Sequence, residues 1–225
     1  MRFRALVLDH DDTAVDSTRH IHFPAYLDFM SRVRPGAPLL DLHGFFQRNF
    51  DPGYLEYLRD ELGLSSHEID EEYRIWRTHT STSIPDFYPG LLDFLREYLG
   101  DGGYLVVVSH SAADTIERDY RHGGNDSVRP HLIYGWEQEP SKRKPAPFPV
   151  DDARRRLGVS REEILVVDDL KPGVVMARRA GVAVGGAGWG HEVPEIRDYM
   201  QSACDYFFDT VEDLARTVRG RTVRG

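Results

Sequence analysis

Six short apolar runs constrain the fold of this sequence more than any other feature. They are rich in Val, Ile, Leu and aromatic residues, and they occupy residues 3–9, 104–109, 131–135, 164–168, 181–186 and 205–209. Most are continuous rather than alternating, and a strand that is apolar on both faces is buried on both faces, as in a parallel sheet covered by helices. The runs therefore predict a buried parallel sheet.

Segments with a helical pattern separate several of these runs. They occupy residues 89–100, 112–124, 149–158 and 172–181. The first begins with Pro89 and ends at Gly100, and the last begins with Pro172 and ends at Gly181, which is the usual placement of these residue types at helix ends. Strands that alternate with helices predict an α/β fold with a doubly wound, Rossmann-like parallel sheet.

Residues 16–86 interrupt this alternation. They hold no Val- or Ile-rich run, and they show helical patterns over 51–63 and 65–80. About 70 helical residues are too many for a simple crossover between two strands. We therefore expect an all-helical cap domain at 16–86, inserted into an α/β core domain that is made of residues 1–15 and 87–225.

Polar side chains follow three of the predicted strands. They are Asp9, His10, Asp11, Asp12 and Thr13 after the first run, Ser109, His110 and Ser111 after the second, and Asp168 and Asp169 after the fourth. Ligands of open parallel sheets bind beyond the carboxyl ends of the strands. We therefore expect these residues to share one site with Lys144 of the segment KPAPF.

Clustered carboxylates are costly to bury unless a cation neutralises them. Carboxylates together with one lysine, Lys144, suggest Mg²⁺, which takes hard oxygen ligands and is bound by few carboxylates plus a substrate phosphate. Asp9 and Asp11 are two residues apart and should lean to one face, so that one can act as a nucleophile and the other as a proton donor. Lys144 and the Ser109 hydroxyl would then hold phosphate oxygens.

These motifs resemble those of the haloacid dehalogenase superfamily, in its phosphatase branch with a helical cap after the first motif, which includes the phosphoglycolate phosphatase-like proteins. The family's four motifs, each in the expected order, are matched by LVLDHDDT, LVVVS, KPAPF and LVVDD, and its return from the cap is matched by FYPG. The resemblance extends over residues 3 to 186 and implies Mg²⁺-dependent hydrolysis of a small phosphomonoester through an aspartyl-phosphate.

The resemblance also implies a role for each matched residue. Asp9 would be the nucleophile and Asp11 the general acid and base. Phosphate would be bound by four residues, namely Thr13, Ser109, His110 and Lys144. Mg²⁺ would be bound by Asp9, by the backbone carbonyl of Asp11, by Asp169 and, as a nearby carboxylate, by Asp168.

Asp12 departs from the family pattern, because this position is commonly Gly in the branch. By strand alternation its side chain should face away from Asp11. We expect it to be solvated or to cap a turn.

A second departure lies in the fourth motif. The family often has Gly followed by Asp, with another Asp four residues on, whereas this sequence has Asp168, Asp169 and then Gly173. Asp168 would replace the missing carboxylate in binding the waters of the metal. The alternative is a structural pair between Asp168 and either Lys144 or Lys171.

Other functions stay open alongside hydrolysis. A phosphomutase uses the same core, whereas a dehalogenase does not need Asp11 and a phosphonatase needs a lysine in the cap, which residues 16–86 lack. A phospho-acceptor signalling domain shares the phosphorylated Asp, the hydroxyl and the Lys-Pro, but its acidic pair ends its first strand. Continuous release of phosphate, rather than one equivalent, separates an enzyme from such a domain.

Three histidines near the first motif have less specific interpretations. His10 is as well explained by packing as by a substrate contact. His20 and His22 diverge on a helix and fit solvated or cap-packing positions better than a zinc pair.

Composition limits the partners and the compartment. The chain has 28 Lys and Arg against 37 Asp and Glu, a net charge of −9, which disfavours nucleic acid and anionic membranes as partners. No apolar run reaches the roughly 18 residues of a membrane span, the N-terminus does not read as a signal peptide, and Cys204 is the single cysteine. We expect a cytoplasmic protein whose partner is a small phosphorylated metabolite, and we interpret the final RTVRG repeat, 216–220 and 221–225, as a basic tail.

Overall fold

The computed structural model describes residues 1–136 and 139–220. The chain forms two compact units. One unit consists of Met1–Val15 together with the described residues from Asp86 onward, and the other consists of Asp16–Pro85. The first unit contains all the strands named below, and the second is helical.

A six-stranded parallel sheet forms the centre of the first unit. Its strands are β1 (Ala5–Leu8), β2 (Tyr104–Val108), β3 (Leu132–Tyr134), β4 (Ile164–Asp168), β5 (Ala183–Ala187) and β6 (Tyr206–Phe208). They lie in the order β3-β2-β1-β4-β5-β6. The chain thus builds outward from β1 to one edge and then from β4 to the other, which confirms the doubly wound α/β fold and places the change of direction between β1 and β4.

Helices α1 to α10 follow in chain order. They are α1 (Phe23–Val33), α2 (Leu42–Phe50), α3 (Tyr54–Glu56), α4 (Ser66–Thr82), α5 (Leu91–Gly100), α6 (Ala113–Gly123), α7 (Phe148–Leu157), α8 (Lys171–Ala180), α9 (Pro194–Ala203) and α10 (Val211–Val218). The four helices predicted between strands of the sheet are α5 to α8, each within two residues of the predicted bounds. Each of the six apolar runs contains most or all of one strand.

The strands of the sheet are buried on both faces, as their continuous apolar sequences predict. Leu6 and Val7 of β1 point to opposite faces, yet both are at most 1% exposed. The same holds for Leu165 and Val166 of β4. Burying such side chains stabilises the fold by about 1.5–3 kcal/mol each, so the centre of the sheet is a rigid base for the residues at its carboxyl edge.

The helical unit has an aromatic core of its own. Tyr26 and Phe29 of α1 pack there with Phe45 of α2 and Tyr57, which follows α3. α4 begins with a capping box, in which the Ser65 hydroxyl accepts from the N–H of Glu68 and the Glu68 side chain accepts from the N–H of Ser65. Aliphatic residues, among them Leu58 and Ile75, complete this core.

Two expectations from the sequence concern the end of the chain and membrane-spanning segments. α10 ends at Val218, inside the first RTVRG copy, and the second copy at 221–225 lies outside the described residues. Among the described helices, none combines the length and the apolar character that crossing a membrane requires.

Candidate active site

Three carboxylates meet at the carboxyl edge of the sheet, where β1 and β4 end. The two strands are in register, with Leu8 opposite Val167, and the N–H of Asp9 donates to the Val167 carbonyl over 2.9 Å. Asp9 therefore stands level with the end of β4, which places carboxylate oxygens of Asp9, Asp168 and Asp169 within 4.8 Å of one another. All three side chains are buried.

Lys144 compensates part of this negative charge. Its Nζ lies 2.7 Å from Asp9 Oδ2 and 2.9 Å from Asp168 Oδ2, and the lysine is itself buried. Burial acts to lower the pKa of Lys144, but the charges of Asp168 and Asp9 outweigh it and raise that pKa. Lys144 is therefore a permanent cation between two carboxylates. Its contact with Asp168 is the structural ion pair that the sequence offered as an alternative role for Asp168.

The compensation by Lys144 is incomplete. Burial raises the pKa of Asp9 to about 7 against the opposing charge of Lys144, and burial, with Asp12 and Asp168, raises the pKa of Asp169 well above its usual value. Among the described residues, Asp169 Oδ2 is buried without a hydrogen-bond partner. His191 Nε2 lies 3.8 Å from this oxygen, too far for a hydrogen bond. An excess of buried carboxylate charge and an oxygen without a hydrogen bond fit a divalent cation with oxygen ligands such as Mg²⁺, which Asp9 and Asp169 would hold.

Two serines after β2 contact Asp11 of the first motif. Ser109 Oγ and Ser111 Oγ donate to Asp11 Oδ2 over 3.0 and 2.6 Å, and the N–H of Ser111 donates to Ser109 Oγ over 2.9 Å. The sequence interpretation gave a role to Ser109 but none to Ser111. Ser111 was expected in the site, and the alternation of an extended chain, which turns residues two apart to one side, is the signal that could have given it the same partner as Ser109.

The other two residues predicted to bind phosphate have different surroundings. The Thr13 hydroxyl is buried and donates to Asp169 Oδ1 over 3.1 Å, so it orients a candidate metal ligand. His110 is exposed, and its Nε2 lies 2.9 Å from the Lys144 carbonyl. Thr13 thus joins the carboxylate cluster, whereas His110 contacts the backbone of the lysine segment.

Asp12 is buried, at 4% exposure, and the expectation that it would be solvated is wrong. The strand alternation behind that expectation does not apply, because β1 ends at Leu8 and the chain turns, with Asp12 at a φ of 56°. The N–H of Asp12 donates to the Val15 carbonyl over 2.8 Å, and Gly190 lies so close to the Asp12 carbonyl that a Cβ at 190 would overlap it. Asp12 therefore belongs to a tight, covered turn.

The segment after β5 covers the turn at Asp12 and contacts Asp169, a candidate metal ligand. Trp189 Nε1 donates to the Thr13 carbonyl over 3.0 Å. His191 Nε2 lies 3.3 Å from the Asp169 carbonyl, and His191 Nδ1 accepts from the N–H of Val193, so the ring proton is on Nε2. Sequence interpretation missed Trp189 and His191, because neither belongs to a motif with a recognisable spacing.

Three further histidines, His10, His20 and His22, each have a partner of their own. His10 Nε2 is 3.1 Å from Asp119 Oδ2 of α6, and both side chains are 1% exposed, which supports packing. In the helical unit, exposed His20 lies 3.4 Å from Asp16, and His22 Nδ1 accepts from Trp76 Nε1 over 2.9 Å. His20 and His22 thus each contact a different side chain.

Comparison with known proteins identifies similar chains. A sequence model described as "Haloacid dehalogenase-like hydrolase" matches residues 43–187. Curated relatives named "Pyrophosphatase PpaX", from Listeria monocytogenes and Listeria innocua, are 24% identical over 168 residues, which are 75% of this chain and 76% of theirs.

Solved structures share the fold at low sequence identity. A putative haloacid dehalogenase-like hydrolase from Bacteroides fragilis has a TM-score of 0.78 at 20% identity, over 94% of this chain and 99% of its own. A putative phosphoglycolate phosphatase from Lactobacillus plantarum has a TM-score of 0.75 at 22% identity, over 95% of this chain and 98% of its own. At these identities the structural likeness confirms the fold alone.

Proposed function

The chain belongs to the haloacid dehalogenase-like hydrolase family, and from this premise we propose that it is a Mg²⁺-dependent phosphatase that hydrolyses a small phosphomonoester through an aspartyl-phosphate. One observation carries the proposal. Lys144 Nζ lies 2.7 Å from Asp9 Oδ2, while the neighbouring Asp169 has a buried oxygen without a hydrogen-bond partner among the described residues. A nucleophilic carboxylate between a fixed cation and a candidate metal ligand suits attack on an anionic phosphate.

Asp9 and Asp11 each have a part in both steps of the proposed reaction. Asp9 attacks phosphorus and forms an aspartyl-phosphate, while the leaving oxygen takes a proton from Asp11. Asp11 then takes a proton from the water that attacks the phosphorus, which releases phosphate and restores the Asp9 carboxylate. Both half-reactions therefore use the same two carboxylates, in agreement with their positions two residues apart.

Cations make this attack possible. Lys144 favours the ionised form of Asp9 and attracts phosphate oxygens, with the Ser109 hydroxyl as a further donor. Mg²⁺, held by Asp9 and Asp169 when bound, would neutralise charge on the phosphate and on the nucleophile. The Asp11 backbone carbonyl remains a proposed ligand by family resemblance.

The helical unit is the proposed source of substrate choice. The residues proposed for the chemistry lie at 9–13, 109–110, 144 and 168–169, outside residues 16–86, which we assign as the cap domain. Replacing 16–86 by a short linker should therefore harm discrimination between substrates more than it harms Mg²⁺ binding. An equal loss of both would contradict this assignment.

Relatives supply candidate substrates for a first assay. Similar proteins carry the names pyrophosphatase and phosphoglycolate phosphatase, so pyrophosphate and phosphoglycolate should be compared with p-nitrophenyl phosphate and a panel of phosphorylated metabolites. Release of a single equivalent of phosphate would instead indicate a phospho-acceptor domain. Transfer of phosphate within a sugar phosphate, without release, would indicate a phosphomutase.

Asp9→Asn tests the nucleophile directly. The variant should lose at least about 10³-fold in turnover with Mg²⁺ and should melt like the wild type. Asp101→Asn, at an exposed turn after α5, is the matched control and should keep full activity. Wild-type turnover by Asp9→Asn would refute the proposed function.

A further inference from the structure

We propose that Ser111 is a positioning residue for Asp11, whose hydroxyl fixes the carboxyl oxygen that carries the proton for the leaving group. This inference rests on the proposed function. It goes beyond that function, because Ser111 lies two residues past the hydroxyl that the second motif supplies, and the motif gives it no part in the reaction.

Ser111 is held rigidly against Asp11. Its hydroxyl donates to Asp11 Oδ2 over 2.6 Å, and the serine is 3% exposed. Its carbonyl accepts from the N–H of Trp136 and its own N–H donates to Ser109 Oγ, both over 2.9 Å. The backbone of Ser111 is thus tied to Ser109 and to the segment after β3, and its hydroxyl is directed by the hydrogen bond to Asp11.

The hydroxyl of Ser111 selects between the two oxygens of Asp11. A protonated carboxyl group has one acceptor oxygen and one oxygen that carries the proton. Since Ser111 donates to Oδ2, Oδ2 acts as the acceptor and the transferable proton resides on Oδ1. The proton is thus held on a defined atom before it moves to the leaving oxygen.

Ser109 cannot perform this task throughout the reaction. A serine hydroxyl has one proton to donate, and in this structure Ser109 donates it to Asp11 Oδ2 over 3.0 Å. When Ser109 donates to a phosphate oxygen instead, Asp11 loses that contact. Ser111 then remains the serine that orients Asp11, so the two serines divide phosphate binding and acid positioning between them.

The proton balance makes the consequence measurable. As the Asp9–phosphorus bond forms and the ester bond breaks, Asp11 Oδ1–H passes its proton to the leaving oxygen, and the attacking water later returns one proton to Asp11. A poor leaving group needs this proton, whereas p-nitrophenolate hardly does. Misplacing the proton should therefore slow an alkyl phosphate far more than an aryl phosphate.

Ser111→Ala, Ser111→Thr and Ser109→Ala, assayed on p-nitrophenyl phosphate and ethyl phosphate, test the proposal. Asp11 becomes a carboxylate as its proton leaves, and loss of a hydrogen bond to a charged group should lower kcat/KM of Ser111→Ala by roughly 10–100-fold on ethyl phosphate but by less than about threefold on p-nitrophenyl phosphate. The ratio kcat/KM is compared because it reports on formation of the aspartyl-phosphate, whereas the hydrolysis of that intermediate is common to both substrates. Its inhibition by inorganic phosphate should not change, because Ala keeps the backbone N–H that orients Ser109. Ser111→Thr should recover most of the activity, and Ser109→Ala should raise KM on both substrates.

The outcomes separate this inference from the proposed function. A loss of kcat/KM on Ser111→Ala that is equal on the two substrates, a weaker inhibition by inorganic phosphate alone, or no loss at all would overturn the positioning role. Those results would leave the proposed function intact if Asp9→Asn is inactive and Asp11→Asn shows the leaving-group dependence. A wild type that hydrolyses neither ester with Mg²⁺, or an active Asp9→Asn, would overturn both.

Discussion

The side chain of Asp168 fills the space that any side chain at Gly173 would need. A Cβ added at Gly173 would overlap the carboxyl group of Asp168, because Gly173 lies in the first turn of α8, just after β4 ends. Asp168 is itself fixed there, with Oδ2 2.9 Å from Lys144 Nζ and Oδ1 accepting from the N–H of Leu170. The Asp at 168 and the Gly at 173 are therefore one paired departure from the family pattern rather than two.

This pairing predicts a strong coupling between the two positions. Gly173→Ala alone should lower the free energy of unfolding by about 1–3 kcal/mol through overpacking. The same change should cost much less in an Asp168→Gly background, where the space is vacant. Urea unfolding of the four variants of this double-mutant cycle measures the coupling, expected at roughly 0.5–3 kcal/mol.

Gly100→Ala is the control for that cycle. A Cβ at Gly100, the last residue of α5, would contact nothing within 4 Å. Gly100→Ala should therefore be close to neutral, with or without Asp168→Gly. Additive effects of Gly173→Ala and Asp168→Gly would refute the steric pairing.

Asp169→Asn and Asp168→Asn should differ in their effect on Mg²⁺. Asp169 has a buried oxygen without a hydrogen-bond partner among the described residues, so its amide should abolish measurable binding in calorimetry. Asp168 is already engaged by Lys144, so its amide should weaken Mg²⁺ by about 10–100-fold and lower the melting temperature. Unchanged affinity in Asp169→Asn would refute its assignment as a ligand, and unchanged affinity in Asp168→Asn would limit that residue to its pair with Lys144.

His191→Ala should weaken Mg²⁺ binding by about tenfold, because His191 orients the Asp169 backbone. Burial lowers the pKa of His191 to about 4, so the ring is neutral near pH 7 and the effect should be the same at pH 6.5 and pH 8. Calorimetric titration of both variants checks this, with exposed His122→Ala on α6 as the control. Equal affinities for His191→Ala and His122→Ala would show that His191 has no influence on the metal site.

Glu72 of the helical unit should make stability depend on pH. Burial raises its pKa from 4.5 to about 7, against the opposing hydrogen bond from the Tyr54 hydroxyl. The folded state thus holds the Glu72 proton more tightly than the unfolded state. The contribution of this proton to the free energy of unfolding is complete below pH 4.5 and is lost as the pH rises through about 7. The total loss is at most about 3 kcal/mol.

Glu72→Gln removes this titration. The variant should melt like the wild type at pH 4.5 but at a higher temperature than the wild type at pH 8, since its amide stays neutral. Asp70→Asn, exposed on the same helix, should leave the pH dependence unchanged. Melting curves of Glu72→Gln that run parallel to those of the wild type at every pH would refute the prediction.

The sequence alone determined the α/β architecture and the strands after which the site residues lie. Such strands can be recognised from a short stretch of sequence, because a strand that is buried on both faces must be apolar at every position. In parallel strands the carboxyl ends form one edge, so motifs that follow β1, β2 and β4 must converge there. Asp9 and Asp169 could for this reason be grouped by their positions in the sequence, and Lys144 joined them as the cation that their charge requires.

Tertiary structure alone decided the contacts that orient those residues. Ser111 reaches Asp11 across 100 positions of sequence, and Trp189 reaches Thr13 across 176. Likewise, the burial of Asp12 depends on a turn and on a covering segment that no strand pattern describes. A hydrogen bond requires atoms to meet within a few tenths of an ångström, and that accuracy is set by how loops pack at the end of a sheet rather than by the spacing of residues along the chain.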